Sequence, residues 1–105
     1  MAIYSVTYEH PDEDGWRNYV LPHLSWLQEC VVNGSLLASG PLQGEVVRPA
    51  LLIMSAPDRS ALDAVIATDP FAQHGLIENM AVHEWDPIFG AFKDKSSMRQ
   101  AGQSG

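Results

Sequence analysis

The chain has 105 residues, enough for one domain and hardly for two. Its net charge of −7, with only six Lys and Arg, excludes the basic stripe that phosphate binding needs, so nucleic acid is not an expected partner. The same acidity disfavours an anionic membrane, and no apolar run approaches the roughly 20 residues of a spanning helix. Hydrophobic residues make up 46% of the chain, too many for a disordered protein. Met1-Ala-Ile-Tyr-Ser-Val begins as a strand rather than a leader, and the single Cys30 excludes an internal disulfide, so a cytoplasmic setting is expected.

Ala2–Tyr8 alternates and is rich in β-branched and aromatic residues, which predicts a first strand. Glu9–Gly15 is an acidic, turn-forming stretch whose Asp12 and Asp14 are candidate caps for a helix near Trp16. Val20, Leu24, Leu27 and Val31 recur at i, i+4, i+7 and i+11, one stripe of a helix that Asn33-Gly34 ends. Pro22 is either the first position of that helix or an interruption inside a longer one, and the pattern leaves both open. His23 falls at the edge of the stripe.

Ser35–Ser39 predicts a second strand, halted at Gly40-Pro41 because Pro cannot donate to a ladder. Leu42–Arg48 reads as a hairpin connection around Gly44. Pro49–Ala56 follows as a third strand, apolar on both faces, with Leu51 and Ile53 pointing one way and Leu52 and Met54 the other. Asp58 or Ser60 caps a second helix buried through Leu62, Val65 and Ile66. That helix must stop by Thr68, since Asp69 precedes Pro70 and avoids the α region. Pro70–Gly75 is a short turn and Leu76–Trp85 a fourth strand, with Met80 and Val82 on one face.

The order β-α-β-β-α-β predicts an α+β, ferredoxin-like domain with a four-stranded antiparallel sheet. Two helices then cover one sheet face. The doubly apolar third strand would leave a patch on the other face too large for a soluble monomer, which predicts a homodimer packed through the open faces. The domain is expected over residues 1–92, with 93–105 a polar, mobile tail and Ile88, Phe89 and Phe92 packing on the body or the partner.

Nucleotide fingerprints and the common zinc signatures are absent, and His10, His23, His74 and His83 lack metal-ligand spacing, so neither cofactor nor metal is expected. Ser39 lacks the surroundings of a nucleophile elbow. What remains is His23 on the first helix and Asp69 just after the second, on the same side of the sheet. A carboxylate accepting from Nδ1–H would fix the imidazole tautomer and leave Nε2 to move a proton. The plainer reading of Asp69 is the N-cap of a short helical turn with Pro70 at its first position; that of His23 is an amphipathic residue at a helix margin. Trp16, Tyr19 and Trp26 suit core packing or, around a cavity, a flat small molecule.

Several stretches together resemble the YCII-related (YciI-like) family of the dimeric α+β barrel group. They are Tyr8-Glu-His-Pro-Asp-Glu-Asp-Gly-Trp16, Pro22-His-Leu-Ser-Trp-Leu27, Gly34-Ser-Leu-Leu-Ala-Ser-Gly-Pro41, Thr68-Asp-Pro-Phe71 and Val82-His-Glu-Trp-Asp-Pro87. The resemblance implies a ferredoxin-like protomer, a dimer through the open sheets, and a His–Asp active centre falling on His23 and Asp69. It also implies a pocket bordered by Ser39, Gly40 and Pro41, with Phe71 of the Asp-Pro-Phe turn contacting substrate. One branch of the family is similar to a cofactor-independent dehydrochlorinase of hydroxylated chloroaromatics.

The expected activity is a cofactor-independent lyase or isomerase acting on a small hydroxylated, cyclic substrate. Its rival is a non-catalytic dimeric module binding a small ligand or a partner protein. A third reading, a cofactor-independent monooxygenase, rests on fold analogy alone.

Overall fold

Strand β1 (Ala2–Glu9) runs between two neighbours and carries one side of the core. The computed structural model describes residues 1–44 and 47–97. After β1 come α1 (Glu13–Val32), β2 (Leu36–Pro41), β3 (Ala50–Ala56), α2 (Arg59–Ile66), the single turn α3 (Pro70–Gln73) and β4 (Glu78–Glu84). The sheet order is β2-β3-β1-β4, with every pairing antiparallel. This is the α+β, ferredoxin-like arrangement predicted. Among the described residues no helix is long and apolar enough to cross a membrane.

Period-two alternation sends Tyr4, Val6 and Tyr8 of β1, with Leu52 and Met54 of β3, into one core against the helices. Leu62 and Ile66 of α2 close it, as their spacing predicts. Each such side chain, taken fully out of water, contributes about 1.5–3 kcal/mol.

Helix α1 settles the question of Pro22 and corrects the predicted stripe. It runs unbroken through Pro22 for 20 residues from an Asp12 cap, whose carboxylate accepts from Gly15 N–H at 3.0 Å. A side chain at Gly15 would collide with Leu76 and with Asp12, so this cap needs glycine. The helix buries Trp26 and Cys30, not the predicted Val31, which is 57% exposed. Trp26 and Cys30 join the buried cluster that holds Leu36, Leu52, Met54, Leu62 and Ile66, and this rotates the buried line by about one residue's turn from the aliphatic one.

Three further differences are local. β2 includes Gly40 and Pro41, paired with Leu51 and Ala50, because a missing N–H is tolerated at the end of an edge strand. Pro70–Gln73 is helical rather than a plain turn, with Asp69 as its cap. β4 begins at Glu78 rather than Leu76; Asn79 has φ +52° and the β1–β4 register shifts between Thr7 and Glu9.

On the face away from the helices Leu51 and Ile53 are half-buried, while Ile3 and Ser55 are buried. Trp85 N–H donates to Ile3 C=O at 2.8 Å, bringing the chain after β4 to this end of the sheet. A short turn at Lys93–Lys95 follows. Ser96 Oγ and Ser97 N–H donate to Asp86 Oδ1 at 2.8 and 3.0 Å, and Ser97 Oγ donates to Oδ2. These bonds hold the Asp86 carboxyl below the usual range. Residues 98–105 of the predicted tail, and Glu45 and Val46 of the predicted hairpin connection, lie outside the described residues.

Candidate acid–base site

Asp69 is held by its own turn before it meets any other element. Extended backbone (φ −65°, ψ 128°) makes it the N-cap of α3, with Pro70 at the first position. Its Oδ1 accepts from Phe71 N–H at 3.0 Å. The same oxygen accepts from His23 Nδ1 at 2.8 Å. The two sequence readings of Asp69, cap and histidine partner, are therefore compatible: one oxygen serves both. The carboxylate is fully buried, and the His23 side chain is 11% exposed.

Since a carboxylate only accepts, Nδ1 of His23 carries the hydrogen and Nε2 is left as the basic nitrogen. The ring is clamped rather than marginal. It stacks on Phe71 at 4.3 Å between centroids and on Trp26 at 5.8 Å. Trp26 Nε1–H donates to Thr68 Oγ1 at 2.8 Å, tying α1 to the residue preceding Asp69. Two helix positions less than one turn apart, His23 and Trp26, thus lock to the bend between α2 and α3.

Beneath the pair lies Tyr8. Its hydroxyl and Asp69 Oδ2 are both buried, and among the described residues neither has a hydrogen-bond partner of ordinary geometry. Burial and then the Asp69 charge push the phenol far above its usual value, so it stays an O–H group beside the carboxylate. Burial also pushes the Cys30 thiol up, which leaves it an inert core side chain.

His23 opens onto a cleft of about 550 Å³ between α1, the sheet and the β2–β3 connection. Ser39, Gly40, Pro41 and Phe71, the remaining predicted site residues, all line it. Asp69 does not; it stands behind His23. Val20, Leu24 and Leu27 also line the cleft, so most of the stripe predicted as core is cavity wall. At the mouth the Arg48 guanidinium lies 3.8 Å over the Trp16 ring and pairs with Glu13 at 2.6 and 3.1 Å.

Tyr8 and Arg48 are not among the predicted site residues, and His10 is weighed there only as a metal ligand. A signal existed for Tyr8 and His10: Tyr4, Val6, Tyr8 and His10 continue one alternation beyond the end of β1, and all four are buried. For Arg48, whose backbone has φ +48°, no signal was present.

The model of the YCII-related domain matches residues 1–86. The chain belongs to the YCII-related domain family. No curated protein matches it in sequence. Among solved structures it is similar to 5-chloro-2-hydroxyhydroquinone dehydrochlorinase (TftG) from Burkholderia phenoliruptrix AC1100, in complex with 2,5-dihydroxybenzoquinone. That likeness has a TM-score of 0.68 at 18% identity and covers 80% of this chain and 93% of that one. An antibiotic biosynthesis monooxygenase is similar with TM-score 0.52 and 15% identity, over 80% of this chain and 96% of that one. A NIPSNAP domain protein from Burkholderia xenovorans gives TM-score 0.52 and 15% identity, over 88% and 97%. At these identities the likenesses show the YCII-related chain to share a fold, and no more.

Proposed function

We propose that this YCII-related protein is a lyase or isomerase in which His23 moves the proton and Asp69 orients and stabilises it. The observation that carries this reading is the 2.8 Å bond from His23 Nδ1 to a fully buried carboxylate, on a ring that lines a cleft of ligand size. Nε2 takes a proton from a substrate hydroxyl or activated carbon. The imidazolium so formed is stabilised by Asp69 across the ring. In a lyase the proton leaves with the departing anion; in an isomerase it returns to a different atom. Neither outcome changes the oxidation state overall, so these two side chains suffice for the proton movements.

The flat, apolar walls around His23 suit a small hydroxylated ring. The TftG structure, named for a chlorinated hydroxyhydroquinone, makes that substrate class the first to test. Chloride release from hydroxylated chloroaromatics should fall about 10²–10⁴-fold in His23→Ala. Unchanged turnover in that variant would remove the assignment. We also place a homodimer on the open sheet face, where Leu51 and Ile53 remain half-exposed; sedimentation of the wild type at a monomer's mass would exclude it.

One observation favours the rival, a binding module without catalysis. Asp69 Oδ1 already caps α3, so the pair also knits α1 to that turn. A purely structural pair should cost about 1–3 kcal/mol when one partner is removed. A catalytic pair loses turnover with little change in the melt, which separates the two.

A further inference from the structure

His10 is a second imidazole on the cleft, and it is held differently from His23. Its ring packs edge-on to Tyr8 at 5.0 Å and tilted on Phe71 at 4.5 Å, and its centroid is 6.4 Å from that of His23. Phe71 thus braces both imidazoles. His10 Nδ1 bonds to the Leu76 carbonyl at 3.2 Å. A carbonyl only accepts, so Nδ1 is the protonated nitrogen and Nε2 carries a lone pair. His10 lines the cleft with 4% of its surface open, and Nε2 is not one of the buried atoms left unpartnered among the described residues.

We propose that His10 is a specificity-determining residue: its Nε2 accepts a hydrogen bond from a substrate hydroxyl distinct from the one that faces His23. Burial lowers the His10 pKa below 6.5, opposed in part by the Leu76 bond, with the nearby His23 and Arg48 lowering it and Asp69 raising it. The ring is therefore neutral near pH 7, an acceptor and not a donor. Among the described residues no carboxylate is bonded to the His10 ring, whereas His23 has Asp69. Two imidazoles on one wall thus divide the work: one accepts a proton, the other recognises a donor. The substrate class that fits is a ring bearing at least two hydroxyls on different carbons. A methoxy group at the His10 position leaves Nε2 without its partner and is discriminated against.

This inference rests on the cleft being a substrate site, and the experiment separates the two. Hydroxyhydroquinone and its fully methylated ether are titrated anaerobically against wild type, His10→Phe and His23→Ala, with Trp16 at the cleft mouth as the fluorescent reporter. Wild type is expected to prefer the hydroxylated ring. His10→Phe, which keeps the aromatic packing, is expected to lose about tenfold of that preference. A preference that survives in His10→Phe but falls in His23→Ala overturns the role of His10 and leaves the His23 reading intact. Failure of wild type to bind either ring overturns both. Nitrogen-15 spectra of the wild-type ring add a test that needs no variant. They should show Nδ1 protonated and Nε2 bare at neutral pH, and the opposite tautomer would end the proposal.

Discussion

The two halves of α1 share one helix and one apolar pattern, yet they do different work. Beyond His23 the helix presses Trp26 and Cys30 into a packed core with Leu36, Met54, Leu62 and Ile66. Before it Trp16 and Val20, and just past it Leu24 and Leu27, instead wall a cleft. The difference lies in what faces them. The C-terminal half shares its buried cluster with Leu62 and Ile66 of α2 and with the sheet. Across the cleft the helix faces Phe71 of α3, the sheet and described residues of the β2–β3 connection, and the space between them stays open. An apolar stripe records that a face avoids water, not whether protein or ligand will cover it.

Substitutions at the two halves should therefore separate activity from stability. At the cleft half, His23→Ala is expected to lower turnover about 10²–10⁴-fold in steady-state chloride release, with the folded fraction retained. A loss of folding comparable to the loss of activity would mean that both halves are simply core. At the core half, Leu62→Ala should destabilise by about 2–5 kcal/mol in urea unfolding, because the fully buried site leaves a cavity that its neighbours fill only in part. Activity per folded molecule should stay near wild type there.

Asp69→Asn sits between the halves and sharpens the distinction. The amide oxygen can still accept from Phe71 N–H, so the melt should move by about 1 kcal/mol or less. Turnover should nevertheless drop more than about tenfold, since an amide neither fixes the working tautomer nor stabilises an imidazolium. Equal losses in both measurements would favour the structural reading.

The smallest expected effect is a pH slope from His10. Its folded-state pKa is depressed by burial, so below the ordinary value of 6.5 the unfolded chain takes up a proton that the native ring refuses. Above that pH the group contributes nothing either way. As pH falls through 6.5 toward the depressed folded value, stability should decline by no more than about 1.4 kcal/mol per pH unit. Urea midpoints of His10→Phe across this window should show the slope reduced by that amount; an unaltered slope would mean that His10 titrates as it does in the unfolded chain.

Much of the chain was legible without coordinates because its signals are local. Asp12, Asp58 and Asp69 as caps, Leu62 and Ile66 as buried faces, and the strands around Val6 and Leu52 follow from neighbours within a few residues. The family pattern around Pro22-His23, Gly40-Pro41 and Asp69-Pro70-Phe71 also lies in plain view, and it singled out the residues that now line one cleft or support it. What the residues could not reveal was rotation and depth. Val31 and Cys30 are neighbours in sequence, and only the packing of sheet and helices decides which is buried.

Residue order alone determined the β-α-β-β-α-β course, the capped turns and the presence of an imidazole on the first helix and a carboxylate just past the second. Tertiary packing alone decided that one oxygen of Asp69 serves both Phe71 and His23, that Tyr8 lies beneath that carboxylate, and that His10 joins the same wall 13 positions before His23. The physical reason is range. Caps and alternation are settled over a few bonds of chain, whereas hydrogen-bond partners 46 residues apart meet only after the sheet and helices have packed.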